Sequence, residues 1–155
     1  MKANHIVIPL VTVAVAVVGS SFTSSGLGSW YRSIHLPTWT PPGSIIGLVW
    51  TTIFILSTAS ALLLWNGSDS KARLPLLTGL FLLNAALNVL WSYLFFSRHL
   101  IGLAVWEAAA LDATVIALVV IAWPLSRLAS ALLMPYAAWG AFATYLTYTV
   151  WKLNR

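Results

Sequence analysis

The sequence has no cysteine and very little charge: three acidic and eight basic residues in 155. Without cysteine, disulfides, zinc–thiolate sites and thiol nucleophiles are excluded together. The shortage of charge says more. Only 7% of residues are charged, against roughly 25% in a soluble domain, so a water-facing surface cannot be covered. The bases are Lys2, Arg32, Lys71, Arg73, Arg98, Arg127, Lys152 and Arg155, scattered between apolar blocks. That spacing suits residues at lipid headgroups and lacks the basic stripe that nucleic acid requires. There is no glycine-rich phosphate loop. His5, His35 and His99 have no ligand spacing, and no Ser or Thr has an evident His or Lys base. Hydrolase, kinase and metalloenzyme chemistry therefore have no constellation to work with, and no metal is expected.

What remains is apolar: 60% hydrophobic residues and a mean hydropathy of +0.90. Five blocks separate, at about 5–22, 44–65, 74–96, 101–123 and 128–153, broken by "NGSDSKAR", "SRH" and "PLSR". Each is long enough to cross a hydrocarbon core of about 30 Å as a helix, and lipid leaves the backbone no alternative to internal hydrogen bonding. The sequence predicts an all-α integral membrane protein, one domain of five antiparallel transmembrane helices. The first block resembles a signal peptide at its small-residue end, but its length favours a retained span. Five spans put the termini on opposite sides. Four basic residues fall on each side, so charge does not orient the chain.

The connection 23–43 is the one long loop, and it is not polar filler. "WYRSIHLPTWTPPGSIIGLVW" sets Trp30, Tyr31, Trp39 and Trp50 among Pro37, Pro41 and Pro42. Two readings fit: an aromatic belt at the interface, or a stiff lid over one mouth of the bundle. Within the third span, Asn84, Asn88, Trp91 and Phe95 recur at helical spacing and share a face. Amides there serve either as interhelical glue or as polar anchors in a ligand cavity. Trp50, Phe54, Ser57 and Ala61 make a comparable face in the second span, and Pro135, Trp139, Ala143 and Leu146 in the fifth. If the three faces converge, they enclose an indole-walled pocket for a flat, apolar ligand. Glu107 and Asp112 lie in the fourth span about 140° apart, so they are not a paired acid–base set; packing and function both remain open for them. Small residues at Ala104, Ala108, Ala109, Ala113, Ala137, Gly140 and Ala141 permit close helix approach, within one chain or between two.

"WYRSIHLPTWTPPGSIIGLVW", "ALNVLWSYLFF" and "PYAAWGAFATYLTYTVWKLN" together resemble the translocator protein, or tryptophan-rich sensory protein (TspO/MBR), family, from about Trp30 to Asn154. The resemblance implies a five-helix membrane protein, often a homodimer, that binds porphyrins such as protoporphyrin IX in a cavity closed by the first long loop. Animal members also bind cholesterol and synthetic benzodiazepine and isoquinoline ligands. By position, Trp50 and Trp139 match the family's pocket tryptophans and Asn88 its ligand-contacting asparagine. Ala143 matches a small residue beside ligand, and Trp30 and Tyr31 the lid aromatics. Asn84 falls where members vary, and Glu107 where they tend to carry Asp. Leu146, Tyr148 and Lys152 echo a sterol motif of weak specificity, with Thr147 in place of the usual Asn.

The function expected on this basis is a membrane receptor for tetrapyrroles, acting in sensing, transport or detoxification. Trp50, Phe54, Trp91, Trp139 and the two amides would hold the macrocycle, with Arg32 and His35 near its propionates. No cofactor is required; porphyrin is the ligand. The alternative is light-dependent porphyrin degradation, with Trp50 and Trp139 as oxidisable participants; a further one is a subunit of a membrane assembly. The low charge and lack of cysteine lean towards a bacterial inner membrane.

Overall fold

The computed structural model describes residues 3–67 and 71–155. Helix α1 is Asn4–Gly26, the short α2 is Ser29–Ser33, and α3 is Gly43–Asn66. A 3₁₀ turn at Lys71–Arg73 leads into α4, Leu74–Ser92, which runs on as a π-turn over Tyr93–Ser97; α5 is Ile101–Ala122 and α6 is Arg127–Leu153. No strand occurs among the described residues. Four of these helices are long and apolar enough to cross a membrane: α1, α3, α4 with its π-turn, and α5. The fifth long helix, α6, has 27 residues, about 40 Å at 1.5 Å per residue. It is less apolar because threonines and tyrosines interrupt it.

The neighbours form a closed ring. α1 packs on α3 and α4, α3 on α6, α6 on α5, and α5 on α4. Helix α5 is the most enclosed, and both Glu107 and Asp112 are buried in it although they diverge around its axis. Of the long helices α1 is the least enclosed, burying only Gly19 and Gly26. The starts follow local chemistry. Pro42 precedes the first turn of α3 and Pro75 sits in the first turn of α4, where a missing N–H costs nothing. The Ser126 hydroxyl caps α6 by accepting from the Ala129 N–H at 3.2 Å.

Two boundaries differ from the sequence reading. Helix α1 continues to Gly26 because the polar run "SSFTSS" satisfies itself on its own helix. Ser21, Thr23, Ser24 and Ser25 donate to carbonyls three or four residues back, at 2.6–3.0 Å. The long connection is therefore 27–42, with α2 inside it. The third span also does not stay α-helical to its end. Arg98 N–H reaches back five residues to the Tyr93 carbonyl at 2.9 Å, and the helix is stopped by His99 at φ 57°, a left-handed conformation more often filled by glycine.

Candidate ligand-binding site

The amides of α4 meet the partners that a polar group in an apolar bundle needs. Asn84 and Asn88 are 7% and 8% exposed. Asn84 donates to Thr114 Oγ1 of α5 at 2.9 Å. Tyr136 of α6 donates its hydroxyl proton to Asn84 Oδ1 at 3.0 Å and accepts from Asn88 Nδ2 at 3.1 Å. Thr114 passes its own proton to the Leu111 carbonyl at 2.6 Å. This relay ties α4, α5 and α6 together away from their ends.

The relay also ends a cavity of about 340 Å³, at the small end of the roughly 300–1,000 Å³ range of ligand pockets. Its walls are Val7 to Val15 of α1, Phe54 to Trp65 of α3 and Thr78 to Asn88 of α4, with Tyr136 closing the inner end. Most of the wall is aliphatic or aromatic. Its polar side chains are Asn84, Asn88 and Tyr136, joined by Thr12, Ser57, Thr58 and Thr78 along the walls; the Ser57 Oγ is buried with no hydrogen-bond partner. Across the α1–α3 seam, Thr12 and Thr58 share a hydrogen bond at 2.8 Å. Val7, Val11 and Leu82 line the cavity while 38–55% exposed, so it opens sideways towards lipid.

The predicted residues separate into three groups. Phe54, Asn84 and Asn88 line the cavity. Trp50 and Trp139 stand one layer behind it, packed with Ile53, Val115 and Tyr136; the Trp50 ring is 5.9 Å from Tyr136, edge to face. Ala143 is half-buried on the same helix and accepts the Thr147 hydroxyl proton through its carbonyl at 2.8 Å. The third group belongs to the lid. Trp30, Tyr31 and Trp91 pack with Phe95, Phe96, Leu146 and Val150. Trp91 and Phe95 stack at 5.0 Å, and Trp30 lies edge-on to Phe95 at 5.5 Å and flat on His99 at 4.1 Å. Burial in this cluster pushes the Tyr31 phenol above its ordinary value of 10.0.

The lid is fastened at two further points. Asn154 accepts from the His35 backbone N–H and donates to the His35 carbonyl, both at 2.8 Å. Trp39 stacks on Tyr145 at 5.6 Å. The Arg32 and His35 side chains are exposed. Of the sterol-motif residues, Leu146 packs inward under the lid, whereas Tyr148 is exposed beneath the Lys152 ammonium at 5.4 Å, so the three do not converge.

Three participants were not singled out in the sequence. Tyr136 carries a signal in retrospect, since a tyrosine in an apolar span needs a partner for its hydroxyl. Thr114 offers the same weaker hint. The valines of α1 offer none, being apolar on every face. Glu107 and Asp112 line no part of the cavity. Asp112 lies against Gly140, where a Cβ would overlap its carboxylate. Both Glu107 oxygens are buried without a hydrogen bond.

A family model, that of the TspO/MBR family, matches residues 6–152 of the chain. The chain belongs to that family. Among TspO/MBR relatives, it is 33% identical over 154 residues to the tryptophan-rich protein TspO of Bacillus cereus, covering 99% of both chains. It is 36% identical over 140 residues to the human translocator protein, covering 88% of this chain and 82% of that one. Protein CrtK of Rhodobacter capsulatus is 30% identical over 143 residues, with 92% and 89% covered. Apolar helices and TspO/MBR membership agree on an integral membrane protein.

Proposed function

We propose that this chain is a membrane receptor for a porphyrin, held in the cavity between α1, α3 and α4. One observation supports the reading above all: an almost wholly apolar cavity meets a hydrogen-bonded amide–phenol group, Asn84, Asn88 and Tyr136, at its inner end. A tetrapyrrole has that chemistry, a large apolar ring with hydrogen-bonding nitrogens at its centre. Burial of ring surface supplies affinity, and the amides select for a polar centre. The sideways opening lets a ligand wider than the cavity extend into lipid. The bacterial relatives favour placement in a cell membrane.

The test is titration of protoporphyrin into purified protein in detergent, followed by tryptophan quenching with an inner-filter control. Saturable binding that Phe54→Ala and Asn88→Leu each weaken about tenfold, the equivalent of roughly 1.4 kcal/mol, supports the receptor. Absence of saturable binding refutes it. Illuminating the complex examines a second reading, favoured by Trp50 lying one ring behind the cavity at Tyr136. Protein-dependent bleaching that Trp50→Phe abolishes while binding survives assigns light-driven pigment degradation instead.

A further inference from the structure

Glu107 makes no hydrogen bond in the relay, yet it stands beside it. Helices α4 and α5 are level where Asn84 meets Thr114. Two turns from that point, about 10.5 Å of rise on each antiparallel helix, come Trp91 on α4 and Glu107 on α5. That layer lies between the relay and the aromatic cluster under the lid, to which Trp91 belongs. Glu107 is 7% exposed, and both its oxygens and the Trp91 Nε1 are buried without a hydrogen bond. The Glu107 and Asp112 carboxyls are within electrostatic reach of the Tyr136 hydroxyl, which closes the inner end of the cavity. No cation of the chain answers them: the Arg32, Arg73, Arg98, Arg127, Lys152 and Arg155 side chains are all exposed. The elements packed on α5 are α4, its π-turn and α6. Helix α4 has no titratable side chain, Tyr93, Tyr145 and Tyr148 are exposed, and Tyr136 is engaged by the two amides.

An ionised carboxylate inside a bundle needs a cation or hydrogen bonds. Glu107 has neither from its own chain, so it keeps its proton until a ligand brings the positive charge. We propose that the cavity also takes an apolar organic cation, whose charge lies at the Asn88–Tyr136 end and replaces the proton of Glu107. The walls suit that class: Phe54, Trp65, Phe81 and Tyr136 are among them, with no cationic side chain, and aromatic rings attract an ammonium group. Away from water the attraction between ammonium and carboxylate is weakly screened. The exchange balances: the cation enters, the Glu107 O–H bond breaks, and the proton leaves to the buffer. Asp112 is the less suited acid, because its carboxylate is pressed against Gly140 of α6. The inference goes beyond the porphyrin reading; it rests on this cavity as a ligand site, not on porphyrin as its ligand.

The probe is benzyltrimethylammonium, with neopentylbenzene as its uncharged isostere. Each is titrated calorimetrically into the purified protein in detergent, with protein-free micelles as the blank. Repeating the cation titration in buffers of different ionisation heat counts the protons released. The native protein should release about one proton per cation, and bind it about tenfold tighter per pH unit between about pH 6 and 8. Neopentylbenzene should release none and ignore pH. Glu107→Gln, which keeps the shape of the neutral acid, should abolish the release and flatten the pH dependence while neopentylbenzene binds as before. Asp112→Asn should keep the release. Proton release by the native protein needs no variant, so a failure of Glu107→Gln to fold does not remove the test. Cation binding without proton release, release that Asp112→Asn abolishes, or binding of neopentylbenzene alone overturns the proposal and leaves the cavity a ligand site. Binding of neither probe also overturns it, and the protoporphyrin titration decides the receptor reading separately.

Discussion

Tyr136→Phe removes one oxygen and leaves the ring in place, so it isolates the relay at the cavity's inner end. Two hydrogen bonds disappear: the one the hydroxyl donates to Asn84 Oδ1 at 3.0 Å and the one it accepts from Asn88 Nδ2 at 3.1 Å. Interhelical hydrogen bonds in membrane bundles are worth about 0.6 kcal/mol on average and about 1.7 at most. Two of them give a loss of roughly 1–3 kcal/mol. The upper part of that range applies here, because Tyr136 is 4% exposed and no second donor stands by for Asn84 Oδ1. The ring contacts with Trp50 and the packing on Ile53 and Val115 persist, which makes cavity formation negligible. Unfolding by SDS titration in mixed micelles reads the difference directly. Tyr148→Phe is the control: an exposed tyrosine on the same helix, expected to stay within about 0.5 kcal/mol of native. If Tyr136→Phe is indistinguishable from Tyr148→Phe, the relay holds nothing together, and the amides of α4 lose their structural explanation.

Three further outcomes are expected. Gly26→Ala should destabilise by about 1–3 kcal/mol, read by the same titration. A Cβ there would meet the Phe96 carbonyl oxygen at 2.5 Å and Phe96 Cα at 2.9 Å, backbone atoms that cannot swing away; a neutral result would mean that α1 and the π-turn are free to separate. The Tyr31 phenol, raised by burial above 10.0, contributes lid stability that is complete below pH 10 and lost as pH rises through the folded value. Amide protection over residues 29–34, the exchange rate relative to that of an unstructured chain at the same pH, should therefore fall in alkali, and Tyr31→Phe should remove that fall. The pair Thr12→Cys and Thr58→Cys, in a chain without cysteine, should oxidise to a cross-link between α1 and α3 where the native hydroxyls are 2.8 Å apart. Porphyrin association measured by stopped-flow quenching should slow and recover with reductant; unchanged rates would show that ligand does not pass that seam.

The architecture was legible in the sequence because lipid leaves few options: apolar blocks of membrane length must be helices, and short breaks make neighbours antiparallel. The polar centre was half legible. Asn84 and Asn88 announced themselves by their cost in an apolar span, but Tyr136 was hidden among the tryptophans beside it, and hydrogen-bond pairing across three helices has no sequence period. Helix ends were misplaced where side chains override composition: serines that look like a loop keep α1 helical to Gly26 by bonding their own turns. The cavity wall was the least legible part. Spacing shows that Trp50, Phe54 and Asn88 face inward, but not which inward-facing residues meet a void and which meet one another. That depends on how closely each helix approaches its neighbours, and hence on contacts such as Gly140 against Asp112.

The two ends of the bundle solve different problems. At the lid end, Gly26 brings α1 against the Phe96 backbone, aromatic rings fill the interior, and Asn154 binds both backbone groups of His35. Opening that end means breaking ring stacks and a paired hydrogen bond together. At the amino-terminal end, α1 diverges from its tight anchor, buries no side chain below Gly19, and is held to α3 by the Thr12–Thr58 bond and the Asn66 cluster. The space between is the cavity. An apolar ligand dissolved in the bilayer already lies beside that wall and pays little desolvation to cross it, whereas a route under the lid requires the aromatic cluster to come apart. The weakly packed half of α1 is thus the natural moving part, with the lid end as the fixed support that keeps Asn84, Asn88 and Tyr136 in register while it moves.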